Sequence, residues 1–265
     1  MGLFVTLEGG EFTGKTSVAV PGLQAVLERA GIPVLVSREP GGTKRGEEIR
    51  QQIFDRREEG APAIELARLF NEARAIHLES EVLPFLSKHQ DGVALLDRYA
   101  DSTFVYQGLE PEDPIEIDIL LDMHKVYTKG LHPDVTFLME IPEDVFEHTL
   151  SCRSSNERDD HTAWDRSSVE EHIRRQQLYM ELPGLFAERG IGRSFVTVDA
   201  SIIASKVIES LTAGLEPFLT EGGLKAELGN SFQDLRREGY WSKLDKLWIP
   251  PELNVENGLS SRAKR

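Results

Sequence analysis

The stretch Gly9-Gly10-Glu11-Phe12-Thr13-Gly14-Lys15-Thr16 constrains this chain more than any other. It spells G-x-x-x-x-G-K-T and follows directly on an apolar run, Leu3 to Leu7, that reads as a buried strand. A triphosphate is gripped by backbone N–H groups turned inward around it, and glycine permits the φ values and close approach this requires. Lys15 places a compact positive charge on the β- and γ-phosphates, and the Thr16 hydroxyl is a ligand for Mg²⁺. The helix expected to start here points its positive dipole end at the same place. Gly9 to Ser17 is therefore the expected phosphate site. A glycine-rich turn with a surface lysine would explain the spelling, but not the strand in front and the helix behind.

Composition sets the outer limits. A chain of 265 residues has room for one α/β domain and an appendage. The net charge of −15 argues against a nucleic-acid coat or scaffold, yet a few local arginines suffice to bind a nucleotide. No apolar run approaches the roughly 18 residues of a membrane span, and no basic segment precedes an apolar one at the N-terminus. Neither a nucleic acid nor a membrane is expected as a partner. Cys152 is the only cysteine, which excludes an intrachain disulfide and a multi-cysteine zinc site and fits a cytosolic setting.

Apolar periodicity predicts strands at Leu3–Leu7, Ile32–Ser37, Val93–Leu96, Asp134–Ile141 and Ser194–Val198. Between them it predicts helices over Lys15–Ala30, Gly46–Arg56, Ile64–Leu86, Ile115–Thr128, Val169–Leu182 and Ile202–Phe218, with another beginning at Pro142. Pro21-Gly22 falls inside the first helix and should kink it, and Pro84 should break the third. Strands alternating with helices mean a parallel sheet covered on both faces, with ligands at the strands' carboxyl ends. His77, His124, His132 and His161 have no metal-ligand spacing and read as surface or core residues.

Three further blocks accompany the P-loop: Arg38-Glu39-Pro40-Gly41-Gly42-Thr43, Phe70-Asn71-Glu72-Ala73-Arg74, and Asp97-Arg98-Tyr99 running on to Tyr106-Gln107-Gly108. In this order and spacing the chain resembles the thymidylate kinase family over roughly residues 1–215. The resemblance implies the three-layer P-loop NTPase fold and ATP-dependent phosphorylation of dTMP to dTDP with Mg²⁺. It implies acceptor-phosphate contacts from Arg38 and Arg98, thymine stacking on Phe70, and a base-edge contact from Arg74. Tyr106 matches the tyrosine under the deoxyribose, Ser102, Gln107 and Pro40 match positions around the acceptor, and Glu11 matches a P-loop acid near the acceptor's 3′-hydroxyl.

Chemistry agrees with these roles. Phosphoryl transfer needs in-line positioning, charge neutralisation and exclusion of water rather than covalent help. Lys15, Arg38 and Arg98 supply charge, and arginine suits an acceptor phosphate because its fork binds bidentately. Asp97, at a strand end, is a candidate Mg²⁺ ligand with Thr16. Each has a plainer alternative: Phe70 and Tyr106 as core, Arg74 as an ion-pair former, Asp97 as a cap, Glu11 as a solvated acid.

Residues 151–168 are polar and read as a lid. The resemblance implies that such a lid covers ATP and that, where the P-loop carries no extra arginine (here Phe12 stands after Glu11), a lid arginine takes over. Arg153, Arg158 and Arg166 are the candidates, with Arg158 preferred. Beyond residue 216 the resemblance ends. Leu224, Leu228, Phe232 and Leu235, then Trp241, Leu244 and Trp248, recur at helical spacing on either side of Gly239, so the extension 216–265 should be two short helices and a disordered tail, packed on its own subunit. A homodimer is implied by the resemblance alone. Two other readings stay open: a kinase of this fold with another deoxynucleotide or nucleoside acceptor, and a catalytically silent nucleotide-binding module that works through its extension.

Overall fold

The computed structural model describes residues 1–147, 167–221 and 228–248. Five strands, β1 (Leu3–Glu8), β2 (Val34–Arg38), β3 (Val93–Asp97), β4 (Val135–Glu140) and β5 (Phe195–Asp199), form one parallel sheet in the order β2-β3-β1-β4-β5. All five expected strands are present, each within two residues of its expected ends. β1 lies in the centre, and its period-two alternation sends Phe4 into one apolar layer and Val5 and Leu7 into the other. The register pairs Asp97 with Leu7 on one side and with Arg38 on the other. That alignment brings the P-loop, the Arg38 loop and the Asp97 motif to one edge of the sheet.

The helices cover both faces. They are α1 (Val20–Arg29), α2 (Lys44–Glu58), α3 (Ala63–His77), α4 (Leu83–Lys88), α5 (Ala100–Thr103), α6 (Ile117–Thr128), α7 (Val169–Glu188), α8 (Ala204–Glu221), α9 (Leu228–Arg237) and α10 (Trp241–Trp248). One core joins β1, β4 and β5 to α1 and α8 through Leu23, Leu27, Phe137, Ile208 and Leu211. The other packs Leu96, Phe104, Leu138, Leu182 and Phe186 on the opposite face. A smaller cluster, Ile49, Ile53, Leu66 and Ala73 with Phe70 against it, joins α2 to α3.

The two prolines expected to disturb helices are accommodated by one device. The first turn after the P-loop, Lys15–Ala19, is a π-helix, and α1 starts afresh at Val20 with Pro21 in its first turn. A π-helical turn, Leu78–Val82, likewise precedes α4, with Pro84 in that first turn. Proline is tolerated there because no intrahelical partner awaits its missing N–H. Gly22 is needed for a different reason: a Cβ on it would come 2.3 Å from Ile208 Cδ1, so α1 and α8 could not approach this closely.

Two helices outrun their expected ends. α7 continues through Pro183 to Glu188, and α8 through Pro217 to Glu221. An interior proline costs about 3 kcal/mol, and burying Leu182 and Phe186 on one side and Leu215 and Leu219 on the other offsets it at about 1.5–3 kcal/mol per side chain. Ser168 caps α7 in a capping box with Glu171. Of the extension, α9 and α10 form as two helices with Gly239 at φ 75° between them. Leu228, Phe232, Leu235 and Trp241 join the core of α1 and α8.

Candidate active site

The P-loop and the Asp97 motif meet at the sheet edge. Gly9, at φ 137°, passes so close to β4 that a Cβ would lie 2.4 Å from Met139 O, so only glycine can turn the chain here. Lys15 Nζ folds over the loop and donates to Gly9 O at 3.0 Å, Gly10 O at 2.6 Å and the Thr13 hydroxyl at 2.9 Å. Burial, reinforced by the Arg98 charge, pulls its ammonium down to about 7, against the opposing pull of Asp97 and Glu11. The Thr16 hydroxyl donates to Asp97 Oδ2. A hydroxyl and a carboxylate thus stand together beside the P-loop.

Glu11 is the centre of the polar network. One carboxylate oxygen accepts from the Tyr106 hydroxyl and lies 3.5 Å from Arg98 Nη2. The other lies 3.3 Å from His172 Nδ1 and 3.4 Å from Arg175 Nη1. Burial alone would raise this carboxyl, but the bond to His172 and the charges of Arg98 and Arg175 outweigh it and hold Glu11 well below the usual carboxylate range. Burial and the Glu11 charge push the Tyr106 phenol up, so it stays a donor.

Arg98 joins the loop to the rest of the site. Its Nη1 donates to Gly9 O at 3.1 Å, Ser102 Oγ at 3.1 Å and the Tyr179 hydroxyl at 2.7 Å. Its backbone is left-handed, at φ 69°, which for a branched-out side chain costs roughly 1–3 kcal/mol. Glu8 secures that conformation: Tyr99 N–H donates to Oε1 at 2.6 Å, and the Ser102 hydroxyl bonds Oε2 at 2.8 Å. Burial, then the nearby Asp101, raises Glu8 to about 8 against the Arg98 charge.

The folded protein therefore keeps a proton on Glu8 that the unfolded chain releases above its ordinary value of 4.5. Stability from this group is fully present below 4.5 and drains away as the pH rises to about 8. Urea midpoints should fall between pH 6 and pH 8.5 in the native protein and fall less in Glu8→Gln, which mimics the protonated form. Equal slopes in both proteins would rule out a protonated Glu8.

Beside this network opens a cleft of about 760 Å³ whose walls include Arg57, Leu66, Tyr106, Gln107, Glu110 and Arg175. A second hollow of about 480 Å³ is bounded by Thr16, Arg38, Thr43, Glu47 and Asp97. The structure thus gathers Glu11, Lys15, Thr16, Asp97, Arg98, Ser102 and Tyr106 into one site, with Arg38 across the second hollow, ion-paired to Glu47 at 3.2 Å. Gln107 is buried, with no partner for Oε1 among the described residues.

Phe70 and Arg74 sit differently. Phe70 packs on the cluster between α2 and α3 and is not among the cleft's walls. Arg74 is buried and donates to Glu39 Oε2 at 2.7 Å, Asn71 Oδ1, Tyr99 O and Thr103 Oγ1, bonds that use four of its five N–H groups among the described residues. Glu39 is held in turn by His77, whose other nitrogen bonds Ser37. The Glu39–Pro40 bond is cis, and Pro40 O accepts from Arg50. The candidate lid arginines Arg153, Arg158 and Arg166 lie outside the described residues.

Five residues of the network were not anticipated: Glu8, Arg50, His172, Arg175 and Tyr179. For the α7 residues a signal existed. Leu178, Leu182 and Phe186 mark its inner face, and stepping back by three or four residues reaches Arg175 and His172. Polar residues on a buried face point to a site. Glu8 offered a weaker sign, a lone acid closing an apolar strand.

Comparison with known proteins agrees with this geometry. The family model for thymidylate kinase matches residues 7–189. A thymidylate kinase of Roseiflexus sp. (strain RS-1) is 35% identical over 228 residues, covering 83% of this chain and 96% of the relative. Thymidylate kinases of Hahella chejuensis, at 32% over 215 residues, and Desulforapulum autotrophicum, at 33% over 216, cover 96% and 90% of their own lengths. With a family match that spans the P-loop and the Arg98 motif, and relatives above 30% identity over most of both chains, the chain belongs to the thymidylate kinase family, enzymes that phosphorylate dTMP to dTDP at the expense of ATP.

Proposed function

We propose that this chain transfers the γ-phosphoryl group of ATP to dTMP through the residues gathered around Glu11, with Mg²⁺ held by Thr16 and Asp97. The observation that carries the reading is the joint at Glu11, where a P-loop carboxylate meets Tyr106 and Arg98 beside the cleft. Lys15 and the loop's N–H groups bind the donor phosphates. Arg98 and Arg38 receive the acceptor phosphate, and Tyr106, Gln107 and Pro40 border the nucleoside. Phe70 and Arg74 meet the base from α3.

The hydroxyl and carboxylate at Thr16 and Asp97 suit a hard cation that keeps waters and nucleotide oxygens in its shell. Among the described residues no cluster of three or more acids, histidines or cysteines competes for it. When bound, such a cation neutralises charge on the phosphate oxygens. Arg158 is the proposed lid contact to ATP.

The protein works as a cytosolic homodimer. The single cysteine supports the compartment. The exposed apolar residues Ile64, Ile119 and Val126, carried by the adjoining helices α3 and α6, support a second copy seated there. Among the described residues no helix is long and apolar enough to cross a membrane.

The test is ADP release with ATP and Mg²⁺ across dTMP, dUMP, dCMP, dGMP, UMP and thymidine, with Lys15→Ala as the blank. Strong turnover on dTMP, weaker on dUMP and little on UMP is expected. Preference for any other acceptor would sink the roles given to Phe70, Arg74 and Tyr106.

A further inference from the structure

The start of α8 is capped from 40 residues away. A helix leaves its first N–H groups without intrahelical partners, and the residue just before the helix normally supplies an oxygen. Here that residue is Ile203, which has none. Instead Asp245 of α10 reaches across: Oδ1 accepts the Ser205 N–H at 2.7 Å, and Oδ2 accepts the Ser205 hydroxyl at 3.1 Å. α10 is itself anchored, because Trp241 stacks on Phe232 of α9 at 5.1 Å and its indole N–H donates to Phe232 O. α9 packs on α1, where Glu238, just beyond it, pairs with Arg29. The extension thus bridges α1, which follows the P-loop, and the first turn of α8, into which the segment 199–203 leads.

That segment has a definite place in the reaction. Arg38, Arg98 and Tyr106 put the acceptor over β2, β3 and β1, and the P-loop lies at β1. In-line transfer sets donor and acceptor on opposite sides of the migrating phosphoryl group. The donor's nucleoside must then extend over β4 and β5, where 199–203 leaves the sheet edge. The segment is already ordered locally: Ala200 N–H donates to Glu140 O, and Asp199 Oδ1 accepts from the Ser201 N–H and hydroxyl.

We infer that Asp245 is a positioning residue for the donor nucleoside, and that the helices α9 and α10 serve to fix the 199–203 segment against it. The inference rests on the kinase reading above. Nothing in it touches the acceptor side, so its signature is one-sided.

The experiment compares Asp245→Ala, Asp245→Asn and Glu238→Gln with the native chain, reading steady-state constants for both substrates and, separately, ATP affinity by calorimetry. Asp245→Ala should raise KM and Kd for ATP about five- to tenfold, with kcat and KM for dTMP within about twofold. Asp245→Asn keeps an oxygen for the Ser205 N–H and should recover most of the loss. Glu238→Gln removes only an exposed ion pair, leaves the Trp241–Phe232 anchor intact, and should leave both constants unchanged. An Asp245→Ala protein with native ATP affinity overturns the inference. So does one whose kcat falls while both KM values hold, the mark of a partly unfolded population. If Asp245→Ala proves insoluble, Ser205→Ala removes one of the two bonds and should still weaken ATP binding about twofold; native affinity there overturns the inference equally. Calorimetry needs no acceptor, so a native protein that binds ATP but does not turn over dTMP would count against the kinase reading alone.

Discussion

Arg98→Ala should lower kcat for dTMP phosphorylation about 10³-fold, the scale at which a single arginine stabilises charge in phosphoryl transfer. The guanidinium touches the P-loop, through Gly9 O, and also Ser102 and the Glu11–Tyr106 pair. Its removal takes away an interaction that strengthens as charge spreads over the transferring oxygens. Arg98→Lys keeps the charge but not the fork, and should recover only part of the activity. Folding should survive the change, because Glu11 retains Arg175, His172 and Tyr106 as partners. The two readings separate in one pair of measurements: a coupled assay for ADP and a urea titration. A loss under tenfold, or one that tracks the folded fraction, would remove Arg98 from the chemistry.

Lys15→Ala should cost about as much in kcat/KM for ATP, and it carries a second, sharper consequence. With Lys15 pulled down to about 7 by its burial and by Arg98, roughly half of the free protein holds it uncharged at neutral pH. A bound triphosphate restores the full charge, so ATP binding should take up about half a proton at pH 7. Above that pH, affinity should weaken by up to about tenfold per unit, since each step requires a proton from scarcer supply. Calorimetry in two buffers of different ionisation enthalpy reads the uptake directly. Lys15→Arg, permanently charged, should show none from this position. Identical heats in both buffers for the native protein would contradict a depressed Lys15.

The site was legible where chemistry and chain order coincide. Asp97 ends β3, Arg98 follows it, and Lys15 and Thr16 close the loop that leaves β1, so the parallel register was enough to bring them together. It was illegible where a partner comes from far along the chain. Asp101 stands inside the most distinctive motif, yet its carboxylate is spent on a buried ion pair with Arg193, 92 residues later, at the other end of β4. Arg74 carries a motif position and is at the same time the peg holding Glu39, Tyr99 and Thr103. Nothing in the spelling of either block separates recognition from support. One helix end was misjudged for a related reason: Pro183 is a local stop signal, directly after the expected end at Leu182, that burial of Phe186 overrides.

The π-helical turn at Lys15–Ala19 fixes how the gene can change. It holds one residue more per turn than an α-helix, and each α-helical residue advances the chain by about 100°. Deleting a single residue there would mend the irregularity on paper. It would also swing Leu23, Val26 and Leu27 about 100° away from β1 while leaving Lys15 over its loop, so the phosphate grip and the core could no longer both be satisfied. The spacing between Lys15 and Leu23 is therefore as much a part of the specification as either residue, and insertions or deletions should be absent from those few codons even where substitutions are tolerated.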